Sequence, residues 1–372
     1  MGVPLKQQIR IGSYLVRQKL MGRKRYPLVL MLEPLFQCNL ECAGCGKIAY
    51  PDEILRRRVS VADALDAVDQ ADAPVVSIPG GEPLIHKEMP EIIEGIIARK
   101  KYIYLCTNAI LVERHIHKYK PSPFLTFSIH LDGLQRRHDE SVCREGVFET
   151  ATKAIKLLKE KGFRVSVNCT LFNGEDANEV ADFFDYAMNE LKVEGITLSP
   201  GYSYELAPRQ DVFLSRAKSK QLFRDIFSLG RKRGSKWRFN QSSNFLDFLA
   251  GNKSYQCSPW SNVTYNIFGW QKPCYLLSDE GYAASFSELM ETTHWHEYGV
   301  GINSKCNNCM AHCGYEGTAV EDTLARPLAA LKVAMRGVKL EGPMAPEPDI
   351  VVTSTQSQTT QNDSSKIPVT EL

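Results

Sequence analysis

No apolar run in this sequence approaches the ~18 residues that cross a bilayer, so no transmembrane helix is expected. No stretch ahead of the first cysteines has the pattern of a secretory signal. Strong charge bias is missing too. Forty-five Lys and Arg face 43 Asp and Glu, a net charge of +2, which leaves no electrostatic footprint for a nucleic-acid partner. Internal repeats are absent apart from a β/α alternation. The tail from 343 to 372 has no aromatic residue and is rich in Pro, Ser, Thr and Gln, a composition expected to stay disordered because it cannot bury a core. Cysteine is not scarce. There are 11, and in a chain without an export signal their clustering points to metal rather than disulfides, and to a reducing cytoplasm.

Three of them organise the chain. Leu35–Tyr50 reads LFQCNLECAGCGKIAY, with Cys38, Cys42 and Cys45 separated by three and then two residues. Three thiolates in one loop can hold three corners of a [4Fe–4S] cube. With no fourth ligand nearby, one iron stays open, and open coordination marks a catalytic site. A zinc loop or three unrelated buried thiols is the plainer alternative, but zinc loops usually pair ligands two and two.

The chain outside that loop alternates strand and helix. Apolar strands are expected at 28–32, 74–78, 102–106, 124–131, 164–171 and 196–198, with helical stripes between them. Such alternation implies parallel pairing through right-handed crossovers. The expected fold is α/β: an open, partial (β/α)6 barrel over residues 26–200, with its chemistry on the loops after the strands. Residues 1–25 read as a basic amphipathic helix. Leu5, Ile9, Val16 and Leu20 fall near one face, and Lys6, Arg10, Arg17, Lys19, Arg23, Lys24 and Arg25 supply charge. It is either an interfacial helix on anionic lipid or a solvated helix packed on the protein itself. Residues 201–340 form a helical and then cysteine-rich extension, ending in a helix expected over 322–338.

Polar residues gather at the expected strand ends. Gly80, Gly81, Glu82 and Pro83 follow the second strand; the glycines permit close backbone approach to a ligand, and Glu82 offers an acceptor. Thr107 and Asn108 end the third strand. Ser128, His130 and Asp132 end the fourth, in FSIHLDG, while Asn168 and Ser199 lie in the fifth and sixth. Ordinary capping and core hydrogen bonding is the bland reading of such residues.

The cysteine spacing followed by GGEP resembles the radical S-adenosylmethionine (SAM) superfamily. The resemblance implies a [4Fe–4S] cluster on Cys38, Cys42 and Cys45, whose open iron chelates the amino and carboxylate groups of SAM. It further implies SAM contacts from Gly80, Gly81, Glu82, Pro83, Asn108, Ser128 and Asn168. His138, Asp139 and Arg144 match the family's next loop, whereas Ala109 stands where a Gly is usual. A second group, Cys257, Cys274, Cys306, Cys309 and Cys313, surrounds a hairpin-like stretch at Gly269. It resembles the auxiliary-cluster domains called twitch or SPASM, in shortened form. It implies a second Fe–S cluster or a zinc ion, with His312 and His294 as spare ligands and free buried thiols as the alternative.

Over residues 1–340 the chain resembles one group within the superfamily, the hopanoid-biosynthesis adenosyl-hopene transferases. FQCNLECAGCGKIAYP, SIPGGEPLIH, LCTNAILV, FSIHLDG and CNNCMAHCGYEGTA carry that likeness. It implies addition of a 5′-deoxyadenosyl radical to the terminal alkene of diploptene to give adenosylhopane. It also implies an electron donor such as flavodoxin or ferredoxin, and a cytoplasmic protein touching the inner face of the membrane. Cys106, in neither cysteine group, becomes the candidate hydrogen-atom donor, with Cys143 and Cys169 as weaker rivals. Phe213, Trp237, Phe245, Phe248, Trp260 and Trp270 are tunnel candidates, although core packing accounts for most. Two other readings compete. A radical SAM peptide maturase would usually carry a leader-binding module before the barrel, for which about thirty residues leave little room. A non-enzymatic Fe–S or zinc redox sensor has no need of the Gly80–Pro83 cradle.

Overall fold

The computed structural model describes residues 2–202 and 206–349; residues 350–372 of the tail lie outside the described residues. Among the described residues nine strands form one sheet: β1 Val29–Glu33, β2 Val75–Ile78, β3 Tyr102–Thr107, β4 Leu125–His130, β5 Arg164–Leu171, β6 Ile196–Pro200, β7 Asn262–Asn266, β8 Gly269–Gln271 and β9 Tyr282–Ala283. Their order is β6-β5-β4-β3-β2-β1-β7-β8-β9. β1 to β7 are parallel, and β8 and β9 follow antiparallel. The six anticipated strands are all present. β7 extends the parallel sheet beside β1, a position its polar sequence NVTYN did not announce.

Among the described residues thirteen α-helices cover the sheet or flank it: α1 Leu5–Leu20, α2 Asp52–Leu55, α3 Val61–Ala71, α4 Met89–Ala98, α5 Val112–His115, α6 Gln135–Ser141, α7 Val147–Glu160, α8 Ala177–Asn189, α9 Arg216–Arg233, α10 Ser243–Leu249, α11 Phe286–Thr292, α12 His312–Ala325 and α13 Pro327–Arg336. Several start on side-chain caps that satisfy free amide groups. Ser60 accepts from Asp63 N ahead of α3, and Asp176 from Asn178 N and Glu179 N ahead of α8. The helix expected at 322–338 is two helices. It begins ten residues earlier, at His312, and breaks at Arg326, because Pro327 disfavours helical backbone in the residue before it.

Strand alternation sorts the side chains into two faces. Leu30, Val76, Ile103, Leu105, Phe127, Val165 and Val167 pack outward under Val68, Ile92, Ile96, Ile155 and Phe183 of the helices. Val29, Val75, Tyr104, Ser128, Asn168, Thr197 and Asn262, one from each of β1 to β7, line a single interior cavity of about 280 Å³. A flat sheet of seven strands would be roughly 29 Å wide. The sheet therefore curls around its interior as a partial barrel.

The first residues of the tail are held down. Glu347 pairs with Arg216 at 2.9 Å and with buried Lys220, and Ala345 N donates to Gly251 O at 2.7 Å. The helices of 201–255 appear as expected in α9 and α10.

Candidate active site

A second cavity, about 240 Å³, opens at the C-terminal ends of the strands. Cys38, Cys42, Cys45, Gly80, Gly81, Cys106, Asn108, Ser128 and Asn168 all line it. The loop after β1 brings the three thiols there. The loop after β2 clasps it from beneath, with Gly81 N donating to Leu35 O and Glu82 N to Gln37 O, both at 2.9 Å. That clasp explains the two glycines. A Cβ at Gly81 would sit 2.1 Å from Gln37 O, and one at Gly80, where φ is +96°, 2.6 Å from Leu35 O. Their absent side chains make room for the cysteine loop's own backbone.

Glu82 and Pro83 do not line the cavity. The Glu82 carboxylate is fully buried and turned away. It accepts from Leu84 N at 3.0 Å, Thr107 Oγ1 at 2.8 Å and Asn108 N at 2.9 Å, tying the ends of β2 and β3 together. Burial pushes its pKa up to about 7 despite those donors. A buried carboxylate needs such partners, and a strand end rich in free amide groups supplies them before a ligand can. Ser199 is also buried away from this cavity.

Burial pushes the thiol of Cys38 up to about 11, even with Leu40 N and Asn39 N hydrogen-bonding to the sulfur. It raises Cys42 and Cys45 too, although Lys47 opposes the shift at Cys45. Thiols this costly to ionise alone become thiolates on a bound metal. Three sulfurs on one cavity, two of them, Cys38 and Cys45, met by backbone N–H donors, with no fourth cysteine of their loop lining that cavity among the described residues, fit a [4Fe–4S] cluster with an open iron.

Beside them lies a charged group whose full extent the sequence did not reveal. Asp132 Oδ2 accepts from His130 Nε2 at 3.1 Å and from Ser141 Oγ, and Asp132 Oδ1 accepts from Thr170 N at 2.8 Å. Burial opposes the charge on His130, but the Asp132 carboxylate outweighs it and raises the imidazole pKa. Asp132 itself falls to about 2: burial works against its charge, and His130 and Ser141 overcome that. His138 is buried and neutral, its pKa lowered to about 4 chiefly by burial. Asp139 caps the start of α7 through Gly146 N and Phe148 N. Lys47, Thr170, Ser141 and Tyr275 also line the cavity. Lys47 is not among the residues expected from the sequence, although it stands two residues after Cys45, and Tyr275 arrives from the far extension with no local cue.

Cys106 sits where the two cavities meet: Pro79, Cys106, Ser128, Asn168, Tyr202 and Tyr275 line both. Its sulfur is 3.7 Å from Ser77 Oγ, and burial pushes its thiol up to about 11. The rivals stand elsewhere. Cys169 is buried in the outward helix-packed core, and Cys143 is solvent-exposed. Of the six aromatics considered for a tunnel, Phe213 alone lines either cavity. Phe245, Phe248 and Trp270 are core, Trp237 packs on it and donates to Asp185, and Trp260 meets Trp295 edge to face.

The second cysteine group converges as well. Cys257, Cys274, Cys306, Cys309 and Cys313 line one cavity of about 50 Å³. Burial raises all five thiols, while N–H groups of Leu276, Leu277, Gly299 and Ala311 hydrogen-bond to the sulfurs of Cys274, Cys306 and Cys309. The two histidines do not join them. His294 is exposed and pairs with Glu297, and His312 lines the barrel interior.

A curled parallel sheet with a thiol-lined cavity at its strand ends defines an α/β metalloenzyme fold. Residues 32–187 match the family model described as the radical SAM superfamily, and residues 196–333 match one described as a domain of unknown function, DUF3463. The chain thus carries a radical SAM domain followed by a DUF3463 extension, and its cofactors are a [4Fe–4S] cluster and SAM. Among curated proteins it is similar to the GTP 3′,8-cyclase of Synechocystis sp., 22% identical over 72% of this chain and 84% of that protein. It is also similar to the probable GTP 3′,8-cyclase of Methanococcus maripaludis, 25% identical over 69% and 87%. Among solved structures, Streptococcus suis SuiB bound to the precursor peptide SuiA superimposes with a TM-score of 0.63 at 16% identity, over 80% of this chain and 73% of SuiB. anSMEcpe with bound AdoMet gives 0.56 at 15% identity, over 83% and 100%. In the SAM-bound SuiB structure this chain spans 62% of the length. At these identities the structural likeness concerns the fold.

Proposed function

We propose that this chain is a radical SAM transferase that joins the 5′-deoxyadenosyl group to the terminal alkene of diploptene, giving adenosylhopane. The observation that supports it is the position of Cys106, a protonated thiol at the junction of the SAM-side cavity and the barrel interior. In this reading Cys38, Cys42 and Cys45 hold the cluster, whose contribution is one electron to the SAM sulfonium. Gly80, Gly81, Asn108, Ser128 and Asn168 hold SAM against it, with the His130–Asp132 pair at the rim. The alkene takes the adenosyl carbon at its terminal CH2, leaving a tertiary carbon radical on the hopane. Cys106 gives that carbon its hydrogen atom, and the resulting thiyl is restored by a second electron and a proton. The balance is SAM, alkene, two electrons and one proton in, methionine and adenosylhopane out. The electrons come from a low-potential donor such as flavodoxin or ferredoxin.

The curated relatives raise a second reading, a nucleotide cyclase. The barrel interior disfavours it. Among the described residues neither Lys nor Arg lines that cavity, whereas a triphosphate requires several cations. Glu316, the acid that lines it among the described residues, is pushed up to about 8 by burial and is mostly uncharged at neutral pH. A neutral interior edged by Ile11, Leu28, Val29, Met31 and Val75 suits a hydrocarbon better.

Anaerobically reconstituted protein given reductant, SAM and diploptene is expected to yield methionine and adenosylhopane by mass spectrometry. Production of 5′-deoxyadenosine with no hopene adduct would defeat the substrate assignment.

For the extension we propose an auxiliary iron–sulfur cluster on four of Cys257, Cys274, Cys306, Cys309 and Cys313. The observation that supports it is the convergence of all five thiols on one cavity, one more thiol than tetrahedral zinc takes. A Cys38/Cys42/Cys45 triple Ala variant should retain iron and sulfide on analysis. Zinc alone, or no metal, would count against this assignment.

A further inference from the structure

α1 carries a second apolar row that faces solvent. At about 100° per residue, Leu5, Ile9, Val16 and Leu20 fall within an arc of roughly 60°, and all four are exposed, Leu5 at 70% and Leu20 at 83%. Gln7, Ile11, Tyr14 and Gln18 fill the opposite arc, and the two glutamines are buried, at 4% and 0%. Tyr14 and Leu15 are buried with them, at 8% and 1%, in a cluster with Tyr26 and Leu28. α1 therefore packs on the protein through that side and still leaves a separate aliphatic row to solvent, where a surface helix ordinarily carries polar residues. The exposed row is flanked by Lys6, Arg10 and Arg17 on one side and Lys19 on the other, all solvent-exposed. No acidic residue occurs before Glu33; the nearest carboxylate recorded on the helix is Asp72, which pairs with Arg17 and Lys101. Beyond α12, which packs Val320 and Leu324 against α1, α13 exposes Leu328, Leu331 and Met335.

The inner face of α1 closes the floor of the barrel. Val3, Gln7 and Ile11 line the interior cavity together with Val29, Val75 and Asn262, the first residues of their strands. Gln7 Nε2 donates to Tyr104 OH at 3.3 Å, and two residues further along β3 stands Cys106. One face of α1 thus looks onto the chamber that reaches the thiol, and its other face presents aliphatic side chains among cations.

We propose that α1 seats the barrel floor on an anionic bilayer, its aliphatic row in the acyl boundary and its cations at the headgroups, and that the lipid substrate enters from the bilayer past α1 while SAM occupies the opposite end. The entry of substrate rests on the diploptene reading; the membrane seat does not. Charge complementarity selects the occupant: an apolar row on a helix whose own charged residues are all Lys or Arg suits anionic lipid, whereas a second copy of this chain would set α1 cations against α1 cations.

The full chain, reconstituted anaerobically, is sedimented with phosphatidylcholine vesicles or with phosphatidylglycerol-containing vesicles. Retention on the anionic vesicles is expected, weakening as salt screens the cations. Ile9→Glu with Val16→Glu, both on the solvent side, should lower it by about a hundredfold. That variant should match the parent on diploptene in detergent and fall behind it on diploptene in vesicles. Equal retention on both lipids, unchanged retention by the variant, or a dimer that the variant splits would each overturn the seat. Vesicle binding without adduct in any medium would uphold the seat and remove the diploptene reading. Adduct in detergent without vesicle binding would do the opposite.

Discussion

Cys106→Ala should still consume SAM but lose most of the saturated adduct, because no other thiol stands at the junction of the two cavities among the described residues. The reason is the thiol's protonation. Burial holds its pKa near about 11, so at neutral pH the sulfur keeps the hydrogen that the hopane carbon needs. Its S–H bond is weaker than the C–H bond it makes. Cys106→Ser separates chemistry from packing. The hydroxyl keeps the shape and the polar neighbour Ser77, but its O–H bond is too strong to give up a hydrogen atom to carbon, so this variant should fail as well. In D2O the S–H exchanges, and the parent's product should gain a single deuterium at the former alkene carbon. Full product from either variant, or no deuterium, ends the role assigned to this residue. Between pH 7 and pH 9 the donor step should be flat, because thiol loss begins only as pH approaches the raised pKa.

The barrel was legible because six apolar strands and their intervening stripes repeat one local pattern, and local patterns are what sequence carries best. The cysteine loop was legible for the same reason: its ligands lie within eight residues. The parts that escaped were decided by distant partners. β7 reads as polar because its face toward the interior carries Asn262 and Thr264, and it gains its place by pairing with β1. Glu82 looks like a ligand for SAM in isolation, but the amide groups of Leu84 and Asn108 reach it first. Phe245 and Phe248 look like tunnel walls until α10 is seen packed under α12, where Phe248 stacks on Tyr315 at 4.8 Å. The direction of α1 was the subtlest. Periodicity finds an apolar row but not which side of the helix the protein occupies, and here the protein took Gln7, Tyr14, Leu15 and Gln18.

Lys47→Met should be the most damaging substitution outside the cysteines. Lys47 Nζ lies 2.9 Å from Glu33 Oε2, and both side chains are almost wholly buried, at 3% and 0%. The ammonium also lies 4.9 Å from the Phe36 ring and 4.6 Å from that of Tyr275, so one side chain joins β1, the cysteine loop and the extension. Removing it strands the Glu33 carboxylate in the interior, which costs about 3–5 kcal/mol. Against a total of roughly 5–15 kcal/mol, that is a large part of the fold's margin. It also removes the positive charge that favours the thiolate at Cys45, so iron content should fall alongside the midpoint of anaerobic urea unfolding. Loss of a buried charge and loss of packing make different forecasts for a double variant. If the stranded carboxylate is the cause, Glu33→Gln in the Lys47→Met background should recover at least half of the lost stability, because a neutral pair no longer pays for an unpaired charge. If packing is the cause, the second substitution should add to the first. An unchanged unfolding midpoint in Lys47→Met would mean the pair does not hold the site together.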